Sequence, residues 1–149
     1  DTDLTGEPDI VIGGKNFTEQ FILGEILAII IENYTSLTAG TKLGLAGTKI
    51  VFDALRNQDV DIYPEYSGTG LYVWLDKDAS VVDSLDASTR KIHRYVKTQS
   101  KTKFNIAWLE PLGFDNSYAL MMRKKQAQKL NIHSISDLAR HLDEHGSSK

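Results

Sequence analysis

The first half of the chain alternates short apolar runs with longer stretches in which apolar residues recur at helical spacing. Residues 10–12 predict a strand that ends in a tight turn at residues 13–14. Apolar residues then recur every three or four positions over 21–34, which predicts a helix buried on most sides. Asn16 or Thr18 is the expected N-cap of this helix.

The same alternation continues as far as residue 63. Residues 42–46 and 60–63 predict two further strands, and a helix is expected from about residue 48 between them. Strands that alternate with helices in this way favour a mostly parallel sheet with helices on both faces, and therefore an α/β fold.

The second half is predicted to contain more helix. We expect helices over 68–75, over 86–102 and from Ser134 or Ser136 to Leu142. Short β-rich runs predict strands at 106–109 and 117–123. Trp74 and Trp108 are predicted to be core aromatic residues.

The composition excludes some kinds of chemistry. The 149 residues are 41% hydrophobic and 25% charged, which is typical of a soluble globular protein. A net charge of −3 disfavours a nucleic-acid partner. The absence of cysteine excludes disulfides, thiolate metal sites and cysteine nucleophiles. No metal site and no cofactor are predicted, because the spacing of His141 and His145 alone is weak evidence for a metal.

The segment 59–70 is the strongest candidate for a ligand site. A short strand leads into a Pro-Glu-Tyr turn and then into a Ser-Gly-Thr-Gly helix start. Ligands of open α/β sheets bind at the carboxyl ends of strands. An aromatic face attracts a cation and a helix start attracts an anion, so Tyr63 or Tyr66 here suits a small zwitterion with a quaternary ammonium group.

Glu65 in this segment suggests an alternative function. It could serve as the acid/base of a small α/β hydrolase-type enzyme. Such a carboxylate usually needs a partner acid, base or metal, and none stands at recognisable spacing. A structural hydrogen-bonding role is therefore favoured, and the chain is predicted not to be an enzyme. A sensor domain or a ligand-binding domain fused to a permease is a further alternative.

Three motifs in order, at residues 13–20, 61–70 and 111–120, resemble the substrate-binding proteins of osmoprotectant ABC importers. These proteins take up glycine betaine, carnitine, choline and related quaternary amines. The resemblance implies a type II periplasmic-binding-protein fold, with two lobes that close around the solute. It also implies delivery to an ABC transporter permease in the membrane. The expected location is extracytoplasmic, in the periplasm or anchored on the outer face of the cytoplasmic membrane.

The resemblance carries six ligand-binding positions onto this chain: Tyr66, Tyr118, Gln20, Thr69, Lys15 and Asn16. The two tyrosines would belong to an aromatic cage around the quaternary ammonium. Gln20 and Thr69 would contact the polar end of the solute, and Lys15 and Asn16 would support them. Thr69 is neutral where some members carry an acidic residue, which favours betaine or carnitine, with choline also possible.

The length predicts only part of a two-lobed protein, which needs two domains and ~250 residues. Residues 1–112 would form an incomplete lobe one, and 113–149 the crossover with the first strand and helix of lobe two. The chain is thus expected to be an N-terminal part, truncated before most of the second lobe. A strand at 117–123 without its sheet would invite a strand-paired or swapped homodimer.

Overall fold

A computed structural model describes residues 6–146 of the chain. Its contacts divide the chain into two compact units, residues 1–111 and 112–149. The correspondence of these units to lobe one and the beginning of lobe two stays a prediction.

The first unit contains most of the regular structure. Its elements are β1 (Ile10–Lys15), α1 (Thr18–Tyr34), β2 (Ala39–Leu45), α2 (Thr48–Arg56), α3 (Ser67–Thr69), a π-helical turn (Gly70–Trp74), α4 (Ala79–Ser84) and α5 (Thr89–Phe104). The predicted order of strands and helices is confirmed as far as α2. The helix predicted over 86–102 is found as α5, which begins after the side-chain cap Ser88.

Parallel pairing of β1 with β2 forms the sheet, with Ile10 beside Ala39. The third strand predicted at 60–63 is reduced to a single parallel bridge between Ile12 and Ile62. Two residues after Ile62 stands Pro64, which has no backbone N–H to continue the hydrogen bonding with β1. The parallel α/β arrangement is therefore present, with its third strand shorter than predicted.

Gly13 and Gly14 lie inside β1, so the prediction that they form a turn is wrong. A Cβ on Gly13 would lie 3.3 Å from Val51 of α2, whereas a Cβ on Gly14 would lie 3.5 Å from the Gln20 carbonyl oxygen of α1. Successive strand residues face opposite sides of a sheet. The two helices therefore cover opposite faces of β1, as predicted, and the glycines leave room for them.

The cap predicted for α1 is also wrong. Phe17 occupies the N-cap position in extended conformation, and no side chain caps the helix. Its carbonyl oxygen accepts hydrogen bonds from the N–H groups of Gln20 at 2.9 Å and Phe21 at 3.2 Å. Asn16 and Thr18 are both exposed and take no part in capping.

The helix α1 is not buried on most sides. Its buried residues are Gln20, Gly24 and Ala28, whereas Ile22 and Ile29 are 56% and 58% exposed. Small residues face the sheet because the backbone of α1 lies close to it: a Cβ on Gly24 would lie 2.6 Å from a methyl carbon of Leu43. Ile22 and Ile29 are therefore left exposed to solvent.

The helix predicted over 68–75 consists of α3 and the π-helical turn, which packs against α5. The buried residues Leu71, Leu75 and Val96 form a cluster there, and Trp108 packs against it. The strand predicted at 106–109 is absent, because this segment packs through the Trp108 side chain and has no neighbouring strand in the described part of the chain.

The second unit contains α6 (Lys124–Leu130) and α7 (Ile135–His145). The Ser134 hydroxyl accepts a hydrogen bond from the Asp137 N–H at 3.1 Å, which confirms one of the two caps predicted for α7. Residues 117–123 do not form the predicted strand, since a strand needs a partner and residues 6–146 supply none here. The expected homodimer is not supported. No helix within 6–146 is long and apolar enough to cross a membrane.

Replacement of Gly70 tests the close packing of the π-helical turn. A Cβ at this position would lie 2.6 Å from Val96 Cγ1 and 2.7 Å from Trp108 Cζ2. We expect Gly70→Ala to lower the free energy of unfolding by about 1–3 kcal/mol, because the core is overpacked. Gly68→Ala is the matched control, since its Cβ meets nothing within 4 Å. Urea unfolding of both variants checks this, and equal shifts of the two midpoints would contradict it.

Candidate functional site

The candidate site lies at the carboxyl ends of β1 and of the segment around Ile62, which lies beside β1. The parallel bridge between Ile12 and Ile62 aligns the two segments. Three residues further along each segment stand Lys15 and Glu65, and their side chains form an ion pair. Both side chains are buried, 2% and 6% exposed. The register of the sheet thus places opposite charges side by side out of water.

The Glu65 carboxylate is surrounded by donors. Oε1 accepts the hydrogen bonds of the Lys15 ammonium and, at 2.8 Å, of the Tyr66 backbone N–H. Oε2 accepts the Tyr63 hydroxyl at 3.0 Å and the Trp74 indole N–H at 3.3 Å. Because each oxygen already accepts two hydrogen bonds, this carboxylate is arranged to hold its neighbours in place. This geometry matches the structural role predicted for it.

The Tyr66 side chain is held at its ring and at its hydroxyl. The Lys15 ammonium nitrogen lies 4.9 Å from the ring centroid, which is within the range of a cation–π contact. The hydroxyl accepts a hydrogen bond from Gln20 Nε2 at 3.1 Å and donates one to the Glu19 carboxylate. The ring is therefore fixed before any ligand arrives.

Gln20 links the end of β1 to this ring. Its side chain is buried, and Oε1 accepts a hydrogen bond from the Lys15 N–H at 3.3 Å. Its amide nitrogen donates to Tyr66, so both ends of the amide are used within the protein. Its location in the first turn of α1 explains how one residue can reach both.

The contacts unite three of the six predicted ligand-binding residues, namely Lys15, Gln20 and Tyr66. Asn16 is exposed directly after β1, and Thr69 is half-buried at the end of α3. Neither joins the cluster through a hydrogen bond or ion pair within the part of the chain that the structure describes. Tyr118 belongs to the second unit, where its side chain is fully exposed.

Sequence reasoning missed the roles of Glu19 and Trp74 in this cluster, and it named Tyr63 only as an alternative to Tyr66 for the aromatic face, whereas the Tyr63 hydroxyl bonds to Glu65. Trp74 was predicted as a core aromatic, and it does stack on Phe52 with ring centroids 4.0 Å apart. Its indole N–H nevertheless bonds to Glu65. An alignment of the ends of the first and third predicted strands could have shown the charge pair, whereas no local pattern marks Glu19 or Trp74 as its neighbours.

The comparisons with known proteins identify the family of this chain. The family described as the substrate-binding domain of ABC-type glycine betaine transport systems matches residues 8–149. The chain therefore belongs to this family, which is a family of binding proteins and not an enzyme class. The resemblance drawn from the three motifs is confirmed.

Two curated relatives and one solved structure show the extent of the likeness. The chain is 34% identical over 137 residues to the ergothioneine transport permease/ergothioneine binding protein EgtU of Helicobacter pylori, covering 91% of this chain and 23% of that protein. It is 39% identical over 134 residues to the glycine-betaine-binding protein of Pseudomonas aeruginosa, covering 89% and 40%. Apo YehZ from Escherichia coli superposes with a TM-score of 0.65 at 29% identity, covering 94% and 48%.

These likenesses confirm the predicted periplasmic-binding-protein-like α/β fold. The chain nevertheless spans less than half the length of each of these three proteins. It therefore corresponds to one part of the longer relatives.

The Tyr63 hydroxyl gives the site a measurable pH dependence. Burial raises the pKa of Tyr63 well above its usual value of 10.0, and the negative charge of Glu65 adds to this. Below pH 10 both the folded and the unfolded states keep the proton. Above it the unfolded state loses the proton first, so stability falls as pH rises, by up to about 1.4 kcal/mol per pH unit.

Tyr63→Phe removes this ionisable group and keeps the ring. We expect urea unfolding measured at several pH values above 9 to show a steeper loss of stability for the wild type than for the variant. Equal slopes would contradict a raised pKa at Tyr63.

Proposed function

We propose that this chain forms part of a binding protein for a small solute with a quaternary ammonium group, such as glycine betaine, carnitine or choline. The bound solute is handed to the permease of an ABC importer on the extracytoplasmic side of the membrane. The observation that carries the proposal is the Tyr66 ring, which is fixed at the carboxyl ends of parallel strands. Membership of the family supports it.

The ring supplies the attraction for the cation. A quaternary ammonium has no N–H group to donate, so it is recognised through its positive charge and its apolar methyl surface. A cation–π contact contributes ~0.5–2 kcal/mol per ring, with the larger value where water is excluded. Because Tyr66 is already held by Gln20 and Glu19, little side-chain entropy is lost when the solute binds.

The carboxylate of the solute needs donors that carry no negative charge. The Thr69 hydroxyl is such a group, whereas the buried amide of Gln20 acts through the Tyr66 ring that it holds in place. Asn16, an exposed amide directly after β1, is proposed as a supporting contact. The part of Tyr118 as a second cage ring is a prediction from the family resemblance alone.

The descriptions of the relatives support a class of solutes rather than a single compound. One relative is described as binding glycine betaine and another as binding ergothioneine. Both compounds combine a trimethylammonium group with a carboxylate. We therefore propose the trimethylammonium group as the feature recognised at Tyr66, with the carboxylate bound as well in those solutes that carry one.

Fusion to a permease is a second candidate, favoured by the description of the H. pylori relative, which names a permease and a binding protein together. The coding sequence on either side of this segment tests it directly. No observation favours the hydrolase-type alternative, since the four donors at Glu65 leave this carboxylate poorly placed to act as a base.

Truncation of the ring tests the proposed function. We expect Tyr66→Ala to weaken binding of glycine betaine, carnitine, choline and ergothioneine by about two- to thirtyfold, the equivalent of one cation–π contact. Tyr34→Ala is the matched control, because Tyr34 is 84% exposed at the end of α1 and lies outside the cluster. Calorimetric titration at high protein and solute concentrations provides the measurement, since weak affinity is expected of a chain shorter than its relatives.

A folded wild-type chain that binds none of these solutes would show that this part of the binding protein is not sufficient for capture. Equal losses in Tyr66→Ala and Tyr34→Ala would instead show that the ring is not the site of the cation. Tyr66→Phe separates the two ends of the side chain, since it keeps the ring and removes the hydroxyl held by Gln20 and Glu19.

A further inference from the structure

We infer that Glu65 determines how well the Tyr66 ring accepts a cationic ligand, because it cancels the positive charge of Lys15 at that ring. Neither Glu65 nor Lys15 has to touch the ligand for this effect. Lys15, predicted from the family resemblance as a supporting ligand contact, acts here through the ring and its charge. The inference rests on the proposed function, since it concerns the same ring and the same cation.

The Lys15 ammonium and a cation bound at Tyr66 would lie close together. The Lys15 ammonium nitrogen lies 4.9 Å from the centroid of the Tyr66 ring. A ligand cation bound to the same ring would also lie within about 6 Å of that centroid, so the two charges would be at most about 11 Å apart. Since the Lys15 side chain is 2% exposed, water and salt screen its charge only weakly.

The Glu65 carboxylate supplies the counter-charge to Lys15. Glu65 pairs directly with Lys15 and is itself 6% exposed. Hydrogen bonds from Tyr63 and Trp74 hold the other carboxylate oxygen, so the negative charge cannot swing away from the ammonium. A ligand therefore meets a neutral pair, whose field falls off faster with distance than that of a single charge.

A purely structural role makes a different prediction. If the ion pair only holds the ring in place, breaking it from either side loosens Tyr66. Charged and neutral ligands would then lose affinity together, whichever partner is removed. A role through charge instead predicts opposite effects from the two partners, and only on a ligand that carries a charge.

The test compares choline with 3,3-dimethylbutan-1-ol, the uncharged carbon analogue of choline. The quantity measured is the ratio of their affinities, obtained by NMR titration of the chain with labelled tyrosine rings. We expect the wild type to prefer choline. Glu65→Gln leaves Lys15 uncompensated and should lower this preference by up to about tenfold. Lys15→Met leaves Glu65 uncompensated and should raise it by a similar factor.

The double variant Lys15→Met/Glu65→Gln is the matched control. It removes both charges, so its preference for choline should return close to that of the wild type even if its affinity for both ligands is lower. Circular dichroism of each variant establishes that it is folded. Should Glu65→Gln fail to fold, Lys15→Met still decides the question, because only a role through charge raises the preference. Should Lys15→Met fail to fold, Lys15→Gln takes its place.

The outcomes separate the two proposals. A wild type without preference for choline overturns the proposed function and this inference with it. A wild type that prefers choline, with variants that keep the same preference, overturns only the inference. Preferences that fall in both single variants also overturn it, because they assign the pair a structural role.

Discussion

The buried ion pair between Lys15 and Glu65 is the interaction on which the candidate site depends. Two charges removed from water are tolerated only when they are well paired and further hydrogen bonds satisfy them. The alignment of β1 with the segment through Ile62 supplies the pairing, and Tyr63 and Trp74 supply the further bonds. Tyr66 follows Glu65 in the chain and is thereby brought beside the ammonium. The position of the ring thus follows from electrostatics as much as from packing.

Only part of this site could be predicted from the sequence. The motifs drew attention to Lys15, Gln20 and Tyr66, and the structure brings these three together. The connections between them could not be predicted, because they depend on the register of two segments separated by 50 positions in the chain. Glu19 illustrates the same limit, since nothing in its local sequence distinguishes an exposed acid from one that accepts a tyrosine hydroxyl.

The fold, like the site, could be predicted only in part from the sequence. Helices with a strong apolar period or a side-chain cap, such as α5 with Ser88 and α7 with Ser134, were predicted close to their observed bounds. Strands beyond residue 60 were not, because a strand needs a neighbour and local β propensity does not supply one. In α1, the wide apolar stripe predicted burial on most sides, which is wrong, since the buried face consists of Gln20, Gly24 and Ala28, and Gly24 lets the helix lie close to the sheet.

The indole of Trp74 gives the site an optical signal of its own. The chain contains two tryptophans, and only Trp74 donates a hydrogen bond to the carboxylate that pairs with Lys15. Indole emission responds to nearby charge and to the strength of its N–H hydrogen bond, so a change at the ion pair alters the fluorescence of this residue. With Trp108 replaced by phenylalanine, the emission of the whole chain would report on the surroundings of a single carboxylate.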